Sequence, residues 1–152
     1  MPCAAVHHRR RGTTTVEFAI TCPIAFFVIF AIIVGGLGVF RYQQVASAAR
    51  EGARWASVHG GQYAEETNKP AATPADIYTN AILPAAGALD PSNLTYEVTW
   101  DKSNMPLEVV GGNYEKPTGN TVTVTVNYQW FPEMYLIGPY ALTSTSTAQM
   151  AY

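Results

Sequence analysis

Along this 152-residue chain the pattern of apolar and polar positions changes period twice. From Phe18 to Phe40 it is an uncharged, nearly unbroken apolar run of 23 residues. At about 1.5 Å per residue, a helix of that length crosses the roughly 30 Å hydrocarbon core of a bilayer. Beyond Arg41 the run narrows to a stripe. Val45, Ala48, Ala49, Gly52, Trp55 and Ala56 keep the i, i+3, i+4, i+7 spacing of one helical face, while Gln44, Ser47, Arg50, Glu51 and Arg54 take the other sides. His59-Gly60-Gly61 then reads as a helix stop. The pattern predicts one continuous helix over 13–59, with a transmembrane half at 18–40 and a second half that packs on a downstream domain.

After the stop the period shortens. Residues 62–73 are polar and aperiodic and contain Pro70, which predicts a surface loop. Thr73-Pro74-Ala75-Asp76 joins an N-cap residue, a proline at the first helical position and an acid three residues after the cap. That signature predicts a short helix burying Ile77, Tyr78, Ala81 and Ile82, ended by Pro84 and Gly87. Two-residue alternation follows: Leu94, Tyr96, Val98 and Trp100 in one segment, Val122, Val124, Val126, Tyr128 and Trp130 in another. Pro132 closes the second strand, Gly138-Pro139 marks a turn, and residues 140–150 form a last Thr/Ser-rich strand. A short strand is expected at 107–110, before Gly111-Gly112-Asn113. The fold class is α+β: a long N-terminal transmembrane helix, then a small domain with one short helix and a three- to four-stranded antiparallel sheet. The expected divisions are a basic leader at 1–12, the long helix at 13–59 and an extracytoplasmic domain at 60–152.

Charge and cysteine content narrow the function classes. From Gly61 onward three Lys face nine Asp and Glu, a net charge of −6, which disfavours a phosphate-binding surface and hence a nucleic-acid role. Cys3 lies in the leader and Cys22 in the span, so the outer domain has no disulfide framework. The apolar run is too long for a secretory signal, and the nearest small-residue site, Ala46-Ser47-Ala48, lies beyond Arg41. Arg9, Arg10 and Arg11 on one side and Arg41, Arg50 and Arg54 on the other tie under the positive-inside rule, although the leader's charges are the more tightly clustered.

Glu17 is the first residue to carry chemistry, because a carboxylate at the edge of an apolar span needs a partner. Cleavage after Gly12 would make Thr13 the N-terminus, four residues from Glu17 and one helical turn away on the same face. That ammonium would neutralise Glu17 of the same or a neighbouring copy. A capping box, Thr14-x-x-Glu17, explains the acid equally well without any neighbour. Pro23 removes a backbone donor inside the span and is expected to bend it. Ala31 and Gly35 suit close helix packing, but glycine is ordinary in membrane helices. Arg50, Glu51 and Arg54 read either as a partner-binding patch or as a solvated ion pair. Trp55 and Trp100 read as core. The sequence offers no catalytic motif, no cofactor site and no paired-His metal spacing; His59 with Glu65, Glu66 and Asp76 is a weak metal candidate, and His59 alone suits a helix end.

Gly12 followed by Thr13-Thr14-Thr15-Val16-Glu17-Phe18 resembles the type IV prepilin processing motif, with Glu at the fifth position after the cut. The stretch Arg11-Gly12 through Val16-Glu17-Phe18-Ala19 with Pro23, then Ala48-Ala49-Arg50-Glu51-Gly52-Ala53-Arg54-Trp55-Ala56, is similar to the TadE-like pseudopilins of tight-adherence (Tad) pilus systems. The resemblance implies a cytoplasmic leader, cleavage after Gly12 by an inner-membrane prepilin peptidase, and a pilin-like minor subunit that meets other pilin subunits and the assembly machinery of an adhesive pilus. The candidate site residues are then Gly12 and Thr13 for processing, Glu17 and Phe18 for helix register and Pro23 for the kink, and the resemblance adds a family motif at Arg50, Glu51, Gly52 and Arg54. The alternative is an uncleaved, single-pass binding module held at the membrane.

Overall fold

The computed structural model of the chain describes residues 11–105, 108–115, 119–132 and 138–151. Helix α1 runs over Arg11–Val58, 48 residues or about 72 Å at standard rise. The chain divides into two compact units after Leu37. In the first, α1 is continuous through Pro23. The Thr21 hydroxyl donates to the Glu17 carbonyl at 2.8 Å, and the Phe26 and Phe30 rings stack at 6.5 Å. Its most apolar 18-residue window has a mean hydropathy of 2.6 and is not buried against any of the described residues.

The second unit starts at Gly38 and holds the rest of α1 and everything downstream. The expected stripe is buried: Val45, Ala48, Ala49, Gly52 and Ala56 lie inside, and Ala53 joins them. Trp55 is only half-buried. Gly52 sets the closest approach. A Cβ there would stand 2.9 Å from Cγ1 of Ile82 and 3.2 Å from Cγ1 of Val124.

The segment expected to be a loop contains a helix, α2 (Gly61–Thr67). Gly60 takes an extended N-cap conformation and Asn68 a left-handed C-cap with φ 54°, so both ends are set by residues outside any apolar period. Gln62 donates to Glu66 at 3.1 Å and Thr67 to the Tyr63 carbonyl at 2.6 Å. Seven residues held by local polar bonds leave no periodic signature.

The capping box at Thr73 forms as expected: Asp76 N–H donates to Thr73 Oγ1 at 3.3 Å, and Thr73 N–H to Asp76 Oδ2 at 2.9 Å. It opens α3 (Pro74–Ile77), which passes through a π-helical turn at Tyr78–Ile82 into α4 (Leu83–Ala86). Pro84 therefore does not end the helix. The π turn widens the backbone just ahead of it, Leu83 N–H reaching back to the Tyr78 carbonyl. Pro84 then falls in the first turn of α4, where a missing N–H costs little. Ile77 and Ile82 are fully buried and Tyr78 is half-buried, stacked on Tyr96 at 4.6 Å.

A 3-10 turn at Pro91–Asn93 leads into β1 (Leu94–Trp100). A separate two-stranded hairpin follows, β2 (Glu108–Val110) and β3 (Asn113–Glu115); Leu107, expected to begin β2, lies outside the described residues. Gly111 and Gly112 form its two-residue loop with φ 61° and 88°, the left-handed pair that side chains resist. β4 (Thr121–Trp130) and β5 (Tyr140–Gln149) complete an antiparallel sheet of order β1-β4-β5. Its inner face, led by Val122, Val124 and Val126, is buried beneath the stripe of α1 and Ile82. The outer face is built of hydroxyls: Thr123 bonds Thr147 and Thr125 bonds Thr145, each at 3.0 Å, and Thr143 donates to Asn127 at 2.7 Å. Asn120, one of two buried polar side chains among the described residues, accepts from Lys102 N–H and donates to the Ser103 carbonyl, fastening the loop after β1. The observed class is α+β, as the sequence predicts, with three strands in the main sheet.

Candidate processing and assembly segment

The expected site residues fall into two groups, one in each unit. Gly12, Thr13, Glu17, Phe18 and Pro23 lie on the first half of α1; Arg50, Glu51, Gly52 and Arg54 lie on the second.

In the first group, α1 already includes Arg11, so the Gly12–Thr13 bond has a helical backbone in the intact chain and Thr14 is an interior position. The Thr14-x-x-Glu17 capping box is thus not the start of this helix. The first ten residues of the leader lie outside the described residues. Glu17 is exposed between Val16 and Phe18, 62% and 69% exposed, with Ile20 at 64% one turn on. A surface with this density of bare apolar side chains has no stable place in water, and a carboxylate within it has none in lipid unless neutralised. Phe18, Thr21, Cys22, Ala25, Phe26 and Ile29 line a shallow, wholly apolar depression on one face. The small side chains of Thr21, Cys22 and Ala25 between bulky neighbours make a notch where another helix can come close. Among the described residues, Gly35 and Gly36 have nothing within 4 Å of where a Cβ would stand.

The second group separates by role. Gly52 is structural, seated on Ile82 and Val124. Glu51 and Arg54 form a two-point ion pair, Arg54 Nη2 to Glu51 Oε1 at 2.6 Å and Arg54 Nε to Oε2 at 3.1 Å. The hydrogen bonds from Arg54 hold the Glu51 carboxyl below the usual carboxylate range and, reciprocally, raise the guanidinium. Arg50 donates from Nε to the Ala46 carbonyl at 3.2 Å, tying its charge along the helix. One face of this motif is therefore packing and the other is a fixed array of charge.

His59 follows the end of α1 and is held there by its neighbours. Its ring stacks on Trp55 at 3.9 Å and meets Tyr63 of α2 at 4.7 Å, and its Nδ1 lies 2.9 Å from the Trp55 carbonyl. These three rings and Lys69, Asp76 and Asn80 line an open recess. Glu65 and Glu66 do not line it, and among the described residues no three His, Cys, Asp or Glu are placed to hold a metal ion.

Some of this was within reach of the sequence and some was not. Ala53, one turn beyond Ala49, carried the helical spacing and belongs with the stripe. The seating of Trp130 on Gly38 and the stacking of Tyr63 on His59 join residues whose separation carries no periodic signal.

The model of the TadE-like protein family matches residues 12–54, from the expected cleavage position to the last arginine of the charged motif. No curated protein and no solved structure matches the chain. Over that segment the chain is similar to TadE-like proteins, and the likeness is that of a Tad-pilus-related, pilin-like protein with one apolar helix long enough to anchor it in a membrane.

Proposed function

We propose that this chain is a pilin-like minor subunit of a Tad-type adhesive pilus, cut after Gly12 by a prepilin peptidase and held in the inner membrane by α1 until assembly. The observation that carries the reading is the joint position of the family match and the bare helix. The match begins at Gly12, and Glu17, the fifth residue of the cut chain, is exposed beside the bare apolar side chains of Val16, Phe18 and Ile20. The Thr13 ammonium released by cleavage is the cation such a carboxylate needs, on its own copy or on a neighbour. Phe18 and the Thr21-Cys22-Ala25 notch give the neighbouring helix its register, and Pro23 leaves a weak point where the helix can flex. The outer domain faces the periplasm, and after assembly the cell surface. Its work is structural, supported by the structural character of TadE-like proteins.

The test is the N-terminal residue and intact mass of the protein from native membranes, alongside Gly12→Ala. Thr13 at the N-terminus in the wild type, lost in the variant, is the expected result. Glu17→Ala is expected to insert in the membrane and fail to enter pili; normal incorporation would count heavily against the reading. A second reading, an uncleaved anchor presenting an acidic binding module, is favoured by one observation: the helical backbone across residues 12–13, which a peptidase must first unwind. An intact leader in a host that has the peptidase would install that reading instead.

A further inference from the structure

The apolar run ends at Phe40, and its last turn belongs to the same compact unit as the sheet. Gly38 is in that turn. A Cβ built on Gly38 would stand 2.8 Å from Cζ3 and 3.1 Å from Cη2 of Trp130, so the indole rests directly on the helix backbone at the level where the run ends. Trp130 is the last residue of β4 and pairs with Tyr140, the first of β5. Strand pairing therefore brings Trp130 and Tyr140 together to the level of residues 38–40.

What the sheet presents there is aromatic. Phe131 is 49% exposed and Tyr140 48%, and Tyr42, next on the helix, is 46% exposed. The opposite end of the same two strands carries Thr121, Thr123, Thr147 and Gln149. Within β4 and β5, exposed aromatic side chains at one end and hydroxyls at the other match a membrane-facing and a water-facing end; the far end of β1 carries Trp100, which is half-buried. Tyr and Trp concentrate at the headgroup level, where a ring is partly sheltered and a polar edge remains wet.

We infer that the β4–β5 end of the sheet is seated in the lipid headgroup layer, with Phe131 and Tyr140 as its contacts and Gly38 as the position that allows Trp130 to hold the sheet at that depth. The occupant of this aromatic surface is the bilayer interface rather than a second protein, because Trp130, which precedes Phe131 and pairs with Tyr140, rests on the turn of α1 where the apolar run ends; a protein partner would have to enter the headgroup layer to reach it. The inference rests on residues 18–40 being a span and is independent of cleavage after Gly12.

The experiment uses the full-length chain with Cys3 and Cys22 replaced by Ser. Single cysteines are introduced by Phe131→Cys, Tyr140→Cys, Thr147→Cys and Phe27→Cys and labelled with an environment-sensitive fluorophore. The protein is reconstituted in phosphatidylcholine–phosphatidylglycerol vesicles containing spin-labelled lipids, the label near the headgroup or deep in the acyl chain. At positions 131 and 140 the emission is expected to shift to the blue and to lose most of its intensity to the shallow label. Position 147 is expected to report water, and position 27 to be quenched by the deep label. Water-like emission at 131 and 140 with position 27 quenched would overturn the inference while leaving the span intact. A blue shift at 131 and 140 without spin-label quenching would mean a protein contact and would also overturn it. Position 27 unquenched would sink the span reading and this inference together. Because Phe131 and Tyr140 are half-exposed and on separate segments, agreement between them separates a true interface from local damage at either substitution.

Discussion

At Gly52 a missing side chain decides how closely the helix meets the sheet. Replacing glycine by alanine inside a helix is worth about 1 kcal/mol in propensity. The added methyl would press on Cγ1 of Ile82 at 2.9 Å, and Ile82 is fully buried with no free end to move, while Val124 closes the other side. Overpacking of this kind costs about 1–3 kcal/mol, so Gly52→Ala is expected to lower stability by up to about 2 kcal/mol, read as a drop in the thermal midpoint. Gly35→Ala and Gly36→Ala meet open space and are expected to leave that midpoint unchanged. Asp76 supplies a pH-dependent counterpart. Hydrogen bonds from the Thr73 hydroxyl and backbone N–H hold its carboxyl below the ordinary value of 3.8. A depressed folded pKa contributes stability above the unfolded value and loses it as pH falls through the folded one. Asp76→Asn is therefore expected to melt earlier than wild type at neutral pH, the gap closing as the solution is acidified below pH 3.8, which a pH series of melting curves would check.

At the scale of elements, the α3–π–α4 segment is the wedge that locks α1 to the sheet, and Ile82 is its point. It lies at 0% exposure against Gly52, so Ile82→Ala should open a cavity and cost about 2–5 kcal/mol by chemical denaturation, with an unchanged slope if the native fold survives. The elements differ in how far they could be read from the sequence. The stripe of α1, the Thr73 capping box and the strands β1, β4 and β5 follow from spacing and cap chemistry, because in each the burying face is set by local period. Helix α2 was hidden because its ends depend on the backbone angles of Gly60 and Asn68 and its interior on polar bonds between neighbours. The continuation past Pro84 was hidden because a proline reads as a stop unless a π turn precedes it, and nothing in Tyr78-Thr79-Asn80-Ala81-Ile82 announces one. The candidate site was legible in composition, a lone acid ahead of an apolar run and a charged motif after it. The division of that motif into a packing glycine and a fixed ion pair required the partners Ile82, Val124 and Arg54 to be placed in space.

At the scale of the whole molecule, the division after Leu37 separates two bodies held together by different solvents. The second has its own buried layer beneath Val122, Val124 and Val126, and the most apolar window of the first is not buried against any of the described residues. A fragment starting at Gly38 keeps the buried residues of the second unit, Val45 to Trp130, and is accordingly expected to fold and to melt within about 2 °C of the full-length protein in detergent. A shift much larger than that would show the apolar half contributing to the fold. Independence of this kind makes the surroundings of the N-terminal half exchangeable. On the proposed pilus reading, acyl chains would be traded for the side chains of adjacent subunits, or the reverse, as a transfer between two oils of similar polarity. The sheet, its glycine seat and its polar outer face would pass through that exchange without repacking.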